Sequence, residues 1–311
     1  MSAQRVADTS SVLAAPSGRP SVDSLWTLRW RVARAYCRRN PQLVVGTVLV
    51  LLILAIGTVG PFVVNTRLAE PLSDIPGRAP SRQNLLGTDD QGRDLLAVLV
   101  AGLPLTLKVG FLAGGIGLSI GIVLGFLAGF LGKSVDTAIS MVVDTLLTVP
   151  ALLVLIIIAA SIKGVISVTI MALVIASLAW MLPTRTIRSQ VLVLRERGYV
   201  QIASLSGVSQ VEIIFREMLP NMLPYLAAAF VGSVSSAILA SIGLEALGLG
   251  PQNDPTVGMT IYWSLHFNAL LRGMWWWWLP PIVVVVVLFI GLFLLSAGLD
   301  EVANPRRRRT V

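Results

Sequence analysis

Of cysteine and histidine this 311-residue chain has one each, and of lysine three. Cys37 alone excludes an internal disulfide and any multi-cysteine metal site. His266 alone excludes a multi-histidine metal site. Charge is scarce as well: 13% of residues are charged, against about 25% in an average soluble domain. No nucleophile, base and oxyanion donor fall together as a hydrolase would require. Ser206-Gly207 and His266 are expected on opposite sides of a membrane. Gly132-Lys133-Ser134 is not a phosphate-binding loop, because Leu127 stands where that loop needs a glycine and an apolar helix precedes it. The chain is therefore read as non-enzymatic, with no cofactor and no metal of its own.

Apolar residues, by contrast, are abundant: 55% of the chain is hydrophobic and mean hydropathy is +0.81. That composition belongs to an integral membrane protein. The net charge of +8 does not signal nucleic acid, because the basic residues gather at the ends of apolar runs, where topology is set. A hydrocarbon core of about 30 Å takes about 20 apolar residues per helix. Six runs qualify: 42–64, 104–131, 136–160, 165–182, 218–249 and 280–299. Lipid cannot satisfy free backbone groups, so the spans are helices. The expected fold is all-α, with about six transmembrane helices.

The expected segments are a tail at 1–41, a first helix at 42–64 and an extracytoplasmic segment at 65–103. A core of five further helices covers 104–299, with a polar loop at 183–217, and a basic tail covers 300–311. With both termini inside, the inner segments carry 17 of the 24 basic residues, as the positive-inside rule requires. The first 24 residues, rich in Ser, Ala and Pro, are expected to be disordered and are not a cleavable signal. Residues 25–39 place Leu25, Leu28, Val32 and Tyr36 on one helical face and Arg31, Arg34 and Arg38 on the other. This is either a helix lying on the inner leaflet or a positive anchor for the first span.

Within the spans, Gly110, Gly114, Gly117, Gly121, Gly125 and Gly129 recur every three or four residues. With Gly132 they form one face, which reads as a surface for close helix packing or as a sliding surface used in gating. Charges inside spans are costly and tend to be functional. Asp144 reads as a structural cap or as part of a transport path. Lys108 reads as snorkelling to the outer interface. The tryptophan run 275–278 fits an aromatic belt or a platform for a sugar ring.

The segment 199–221 is the longest polar stretch between apolar runs. It predicts two short amphipathic helices around Gly207, closed by Leu219-Pro220. On the inner side, such a hairpin offers a surface to a soluble partner.

Four blocks resemble the permeases of ABC importers, specifically the C-type subunit of the dipeptide/oligopeptide/nickel branch. Leu85-Leu86-Gly87-Thr88-Asp89-Asp90-Gln91-Gly92-Arg93-Asp94 is similar to that family's LLGTDxxGRD segment. Val143-Asp144-Thr145-Leu146-Leu147 followed by Pro150 resembles its VD…P segment. The 199–221 hairpin resembles its EAA coupling loop, and Leu247-Gly248-Leu249-Gly250 resembles its FLGLG. Two departures stand out. Gln201, Ile202 and Ala203 replace the usual Glu-Ala-Ala, and Ser241 stands where an acid is usual, with Glu245 one helical turn later.

The resemblance implies a type I permease fold with a cytoplasmic coupling hairpin. It implies a subunit that lines a substrate path with a second, homologous permease in a bacterial or archaeal cytoplasmic membrane. Two ATPase subunits holding ATP and Mg2+ would drive it, and an extracytoplasmic binding protein would supply cargo. Tyr199, Gln201, Ala203, Gly207, Glu212, Ile214, Leu219 and Pro220 would dock the ATPase. Asp144, Ser241, Glu245, Trp276 and Trp277 would lie on the path. In the 84–94 block, Thr88 reads as the cap of a short surface helix with Asp89 and Asp90 in its first turn, its role either structural or the docking of the binding protein. Peptides or short oligosaccharides are the expected cargo. A secondary transporter and a membrane scaffold remain as alternatives; the first would more often show an internal repeat, which the sequence does not, and the second would not need the hairpin.

Overall fold

The computed structural model describes residues 40–303; the expectations for 1–39 and 304–311 lie outside them. Four helices are long and apolar enough to cross a membrane, or six if two bent pairs each count as one span. Among the described residues there is no strand beyond one isolated bridge, Thr88 to Asp94.

Helix α1 is Pro41–Val63. Helix α2, Leu95–Leu131, is 37 residues long and starts nine residues before the apolar run suggested. The reason is local: Asp94 caps it by accepting from the Ala97 amide at 2.9 Å. Pro104 is carried inside the helix.

The third and fourth spans are both broken. Helix α3 (Lys133–Leu147) and helix α4 (Ala151–Ser161) meet at 80°. Pro150 sits at the break, where it lacks an amide and pushes Val149 out of helical geometry. Helix α5 (Val168–Ala179) and helix α6 (Met181–Arg195) meet at 42°. Pro183 cannot donate to the Ala179 carbonyl, which opens the backbone ladder at this bend.

Helix α6 corrects the expected loop. Residues 183–195 are helical, so the hairpin starts at α7, Gly198–Leu205. Its second arm does not stop at Leu219-Pro220. It runs into α8, a continuous Gln210–Ala246 helix with a π-helical turn at Ile213–Met218. There the Leu219 amide reaches back five residues to the Ile214 carbonyl. Pro220 offers no amide to continue the regular ladder, which accounts for the local widening. Helix α9 (Val257–His266) and helix α10 (Trp275–Ala303) complete the chain.

The glycine face of α2 is the packing axis. A Cβ on Gly114 would fall 2.7 Å from the Val234 backbone of α8. On Gly121 it would meet Pro183 at 2.5 Å, and on Gly129 it would meet Val191 at 2.7 Å, both on α6. The stripe thus lets α5, α6 and α8 seat directly on α2. A second glycine contact, not anticipated, joins α1 to α10: a Cβ on Gly46 would lie 2.4 Å from the Leu295 amide, and one on Gly298 2.7 Å from Leu43.

Candidate functional site

Three regions carry functional side chains: a hairpin, a cavity among the bent helices, and a cap over the N-terminal end of α2.

The hairpin turns at Gly207, whose φ of +77° suits glycine. Its flanks are closed by the Gly207 amide on the Ser204 carbonyl and the Val208 amide on the Ala203 carbonyl, both 3.2 Å. Ser209 then caps the second arm by accepting from the Glu212 amide. Val200, Ile213 and Met218 are buried against Phe126, Ile187 and Val191, so one face is fixed to α2 and α6. The other face is bare. Ile202 and Leu205 on the first arm are exposed, Leu205 to 88%. Val211 and Phe215 on the second arm are exposed as well and border a groove of about 370 Å³ with Val123, Leu127 and Leu131 of α2. These four were not singled out from sequence, although their three-to-four spacing was the available signal. Of the residues that were, Tyr199, Gln201, Gly207 and Pro220 are exposed and Glu212 pairs with Arg216. Ala203, Ile214 and Leu219 pack inward.

A cavity of about 520 Å³ opens among α4, α5, α6, α8 and α10. Its wall is apolar at Leu155, Ile175 and Leu182, and hydroxyls of Thr186, Tyr225, Ser233, Ser236 and Ser296 and the Asp300 carboxylate also line it. None of the five residues expected on a path lines it. Asp144, on α3, faces Arg185 of α6 at 3.7 Å. Ser241 and Glu245 are fully buried together: Ser241 Oγ donates to Glu245 Oε1 and Thr256 Oγ1 donates to Oε2, each at 2.7 Å. Gly258 fits tightly beside them; a Cβ there would be 2.1 Å from Oε2. This carboxylate ties α9 to α8 and is closed to the cavity.

Trp276 and Trp277 belong to the cap. Trp277 has no exposed surface and packs with Leu95, Ala269 and Met274. Trp276 is half-buried against Gly87, its indole N–H donating to the Thr88 carbonyl at 3.4 Å. Trp277 therefore offers no open ring face to a sugar.

The 84–94 block is a closed loop, not a capped surface helix. Asp89 is fully buried and accepts from the Gln91 and Arg93 amides and from Arg93 Nε at 2.6 Å. Asp94 holds Asn84 at 2.9 Å while capping α2. Local capping was misread because the acids bond within the loop and across it, through Gly87 and Gly92 at positive φ. Outside this core the Ile75 amide, donating at 2.7 Å, holds the Asp74 carboxyl below its ordinary value, with Asn84 and Arg78 adding to it. Arg272 bonds to Asp90, which raises its own pKa and pins the turn before α10 to the loop.

Comparison with known proteins follows this geometry. Residues 121–309 match the family described as binding-protein-dependent transport system inner membrane component. The chain is 30% identical over 239 residues to the dipeptide transport system permease protein DppC of Alkalihalophilus pseudofirmus, covering 76% of this chain and 78% of the relative. It is 30% identical to a putative peptide transport system permease protein of Brucella suis, over 88% and 90% of the two chains. An oligopeptide transport system permease protein OppC of Mycobacterium tuberculosis is 30% identical over 58% and 63%.

Proposed function

The chain belongs to the binding-protein-dependent transport system inner membrane components, and on that premise we propose how it works within an ATP-driven importer. It lines a substrate path with a second, homologous permease. Separate ATPase subunits, carrying ATP and Mg2+, grip the hairpin from the cytoplasmic side. An extracytoplasmic binding protein delivers cargo over the cap. Both termini face the cytoplasm, a reading that the excess of arginine in the inner segments supports.

The observation that carries this reading is the bare apolar surface on the hairpin's first arm, Ile202 and Leu205, on a segment whose other face is locked to the membrane helices. Exposed apolar surface on a polar segment marks a partner's site. The partner is an ATPase groove, given the family. Cargo is a peptide: the relatives carry peptide-transport names, and the full burial of Trp277 weakens the argument for sugar.

Co-purification tests the docking. Leu205→Asp with Ile202→Asp should leave the chain in the membrane and lose the ATPase subunits. Retention of the ATPases by that variant would overturn the reading.

A further inference from the structure

Helix α6 presents three arginines to one side. Arg185, Arg188 and Arg195 lie within roughly a quarter turn of one another at 100° per residue. Each has a partner on another element. Arg188 forks onto Asp136 of α3, with Nε on Oδ1 and a terminal nitrogen on Oδ2 at 2.7 Å. Ser140 also donates to that carboxylate at 3.1 Å. Arg185 faces Asp144, further along α3, at 3.7 Å. Arg195 reaches the Gly129 carbonyl at the end of α2 at 3.2 Å.

Helix α6 has a second contact, its apolar side on the glycine face of α2 through Ile187 and Val191. The two contacts resist movement differently. A smooth glycine face opposes sliding only through van der Waals contact. A two-bond fork between guanidinium and carboxylate fixes both distance and angle. If α6 moves, the fork obliges α3 to follow with fixed distance and angle, whereas the α2 contact yields by repacking of Ile187 and Val191. Arg195 reaches α2 only at its end, through one guanidinium nitrogen shared between the Gly129 and Phe130 carbonyls.

The two ends of α6 and α3 make this useful. Helix α6 leads through Glu196 and Arg197 into α7 of the hairpin. Helix α3 leads through the 80° break into α4, and Leu147, Ala151 and Leu155 of that broken helix wall the cavity. We propose that the Arg188–Asp136 fork, steadied by Arg185–Asp144, transmits movement of the hairpin to the broken helix that walls the cavity. This rests on the reading of the hairpin as an ATPase dock. Arg188 and Asp136 are positioning residues in it; they touch no cargo.

The test uses the full complex with its ATPases and second permease, reconstituted in liposomes, in a Cys37→Ser background. Two spin-label pairs are placed on exposed residues: Leu205→Cys with Leu239→Cys, and Leu153→Cys with Leu239→Cys. Distances are measured by pulsed electron resonance without nucleotide and after trapping with ATP and vanadate. In the otherwise native complex both pairs should shift; a still Leu205 pair there would defeat the docking reading itself. With Arg188→Gln the Leu205 pair should still shift and the Leu153 pair should lose its shift. The exchange Arg188→Asp with Asp136→Arg should restore it. A purely structural fork would lower yield but leave both shifts in the assembled fraction. Shifts of both pairs in Arg188→Gln, or of neither, overturn the inference. If Arg188→Gln does not assemble, Asp136→Asn carries the same comparison, since it removes the charge and keeps the shape.

Discussion

Thr256, at the start of α9, donates its hydroxyl to Glu245 near the end of α8 at 2.7 Å. Ser241, one turn back on α8, donates to the other carboxylate oxygen at the same distance. All three side chains are buried. A buried carboxylate is tolerable when its lone pairs are taken up, and costly to neighbours when it is removed.

Removal of that carboxylate gives the first prediction. Glu245→Ala strands two buried hydroxyls and should destabilise the protein by on the order of 3 kcal/mol, whereas Thr256→Ala, which loses one bond to the carboxylate and the cap on the Met259 amide, should cost about 2 kcal/mol. Thermal unfolding in detergent reads both. Because Glu245 does not line the cavity, the folded fraction of Thr256→Ala should transport with unchanged cargo preference. A changed preference would put Glu245 back on the path.

The glycine face of α2 gives a graded prediction. Gly121→Ala puts a methyl 2.5 Å from Pro183 and 3.0 Å from the Thr184 amide, where backbone must yield. Gly115, off the stripe, has only the edge of the Phe230 ring within reach, at 3.9 Å. Overpacking typically costs about 1–3 kcal/mol, so Gly121→Ala should lower the unfolding temperature and the yield. Gly115→Ala should be neutral or slightly stabilising, since alanine is the better helix former. Equal effects at the two positions would contradict the packing axis described above.

These two sites show what the sequence made legible. Glycine spacing identified the packing face because periodicity of 3.6 is a local property of one helix. Apolar length located the spans for the same reason. The site is less legible because its partners are distant in sequence. Arg185 and Arg188 looked like loop residues, since helical arginines near a membrane are expected to need partners, and theirs are some 40 to 50 residues earlier on α3. Asp144 and Glu245 looked like path residues because a charge in a span is conspicuous; whether it faces a cavity or a neighbouring hydroxyl is not written locally. The break at Pro150 was visible as a proline, but its 80° angle depends on what α3 and α4 pack against.

Tryptophan burial separates anchor from platform. Trp277 is enclosed by Leu95, Ala269 and Met274, so Trp277→Ala should cost about 3–5 kcal/mol and loosen the cap. Trp275, about half exposed, should tolerate the same change with little loss. Limited proteolysis between residues 65 and 94 would report the loosened cap as faster cleavage in Trp277→Ala only. Competition assays with di- to pentapeptides should give one order of preference for native chain and Trp276→Ala alike. A reordered preference would mean that the tryptophans meet cargo after all.

The hairpin turn can be tested without disturbing its faces. Gly207 has φ +77° and open space where a Cβ would point. Gly207→Ala therefore meets no neighbour and bears only the left-handed strain, about 1–2 kcal/mol. Gly207→Pro cannot reach that φ at all, and it also removes the amide that closes on Ser204. Both variants should insert in the membrane. Stimulated ATP hydrolysis in the assembled complex should survive in Gly207→Ala and vanish in Gly207→Pro. Stimulation that persists in Gly207→Pro would mean that the turn is not where the ATPase takes hold.

Sidedness is the remaining expectation, and it can be read with two cysteines in a Cys37→Ser background. Ser206 is exposed at the hairpin tip and Asn268 is exposed in the turn after α9. Two helices lie between the hairpin tip and that turn: α8 crosses once, and α9 is too short to cross back at about 1.5 Å per residue. The two sites must therefore face opposite sides of the membrane if α8 spans it. With 17 of 24 basic residues assigned to the hairpin's side, that side is expected to be the cytoplasm. A membrane-impermeant maleimide should label Ser206→Cys only in inside-out vesicles and Asn268→Cys only in right-side-out cells. The reverse pattern would turn the protein over and place the hairpin out of reach of any ATPase. Labelling of both from one side would mean that α8 does not span.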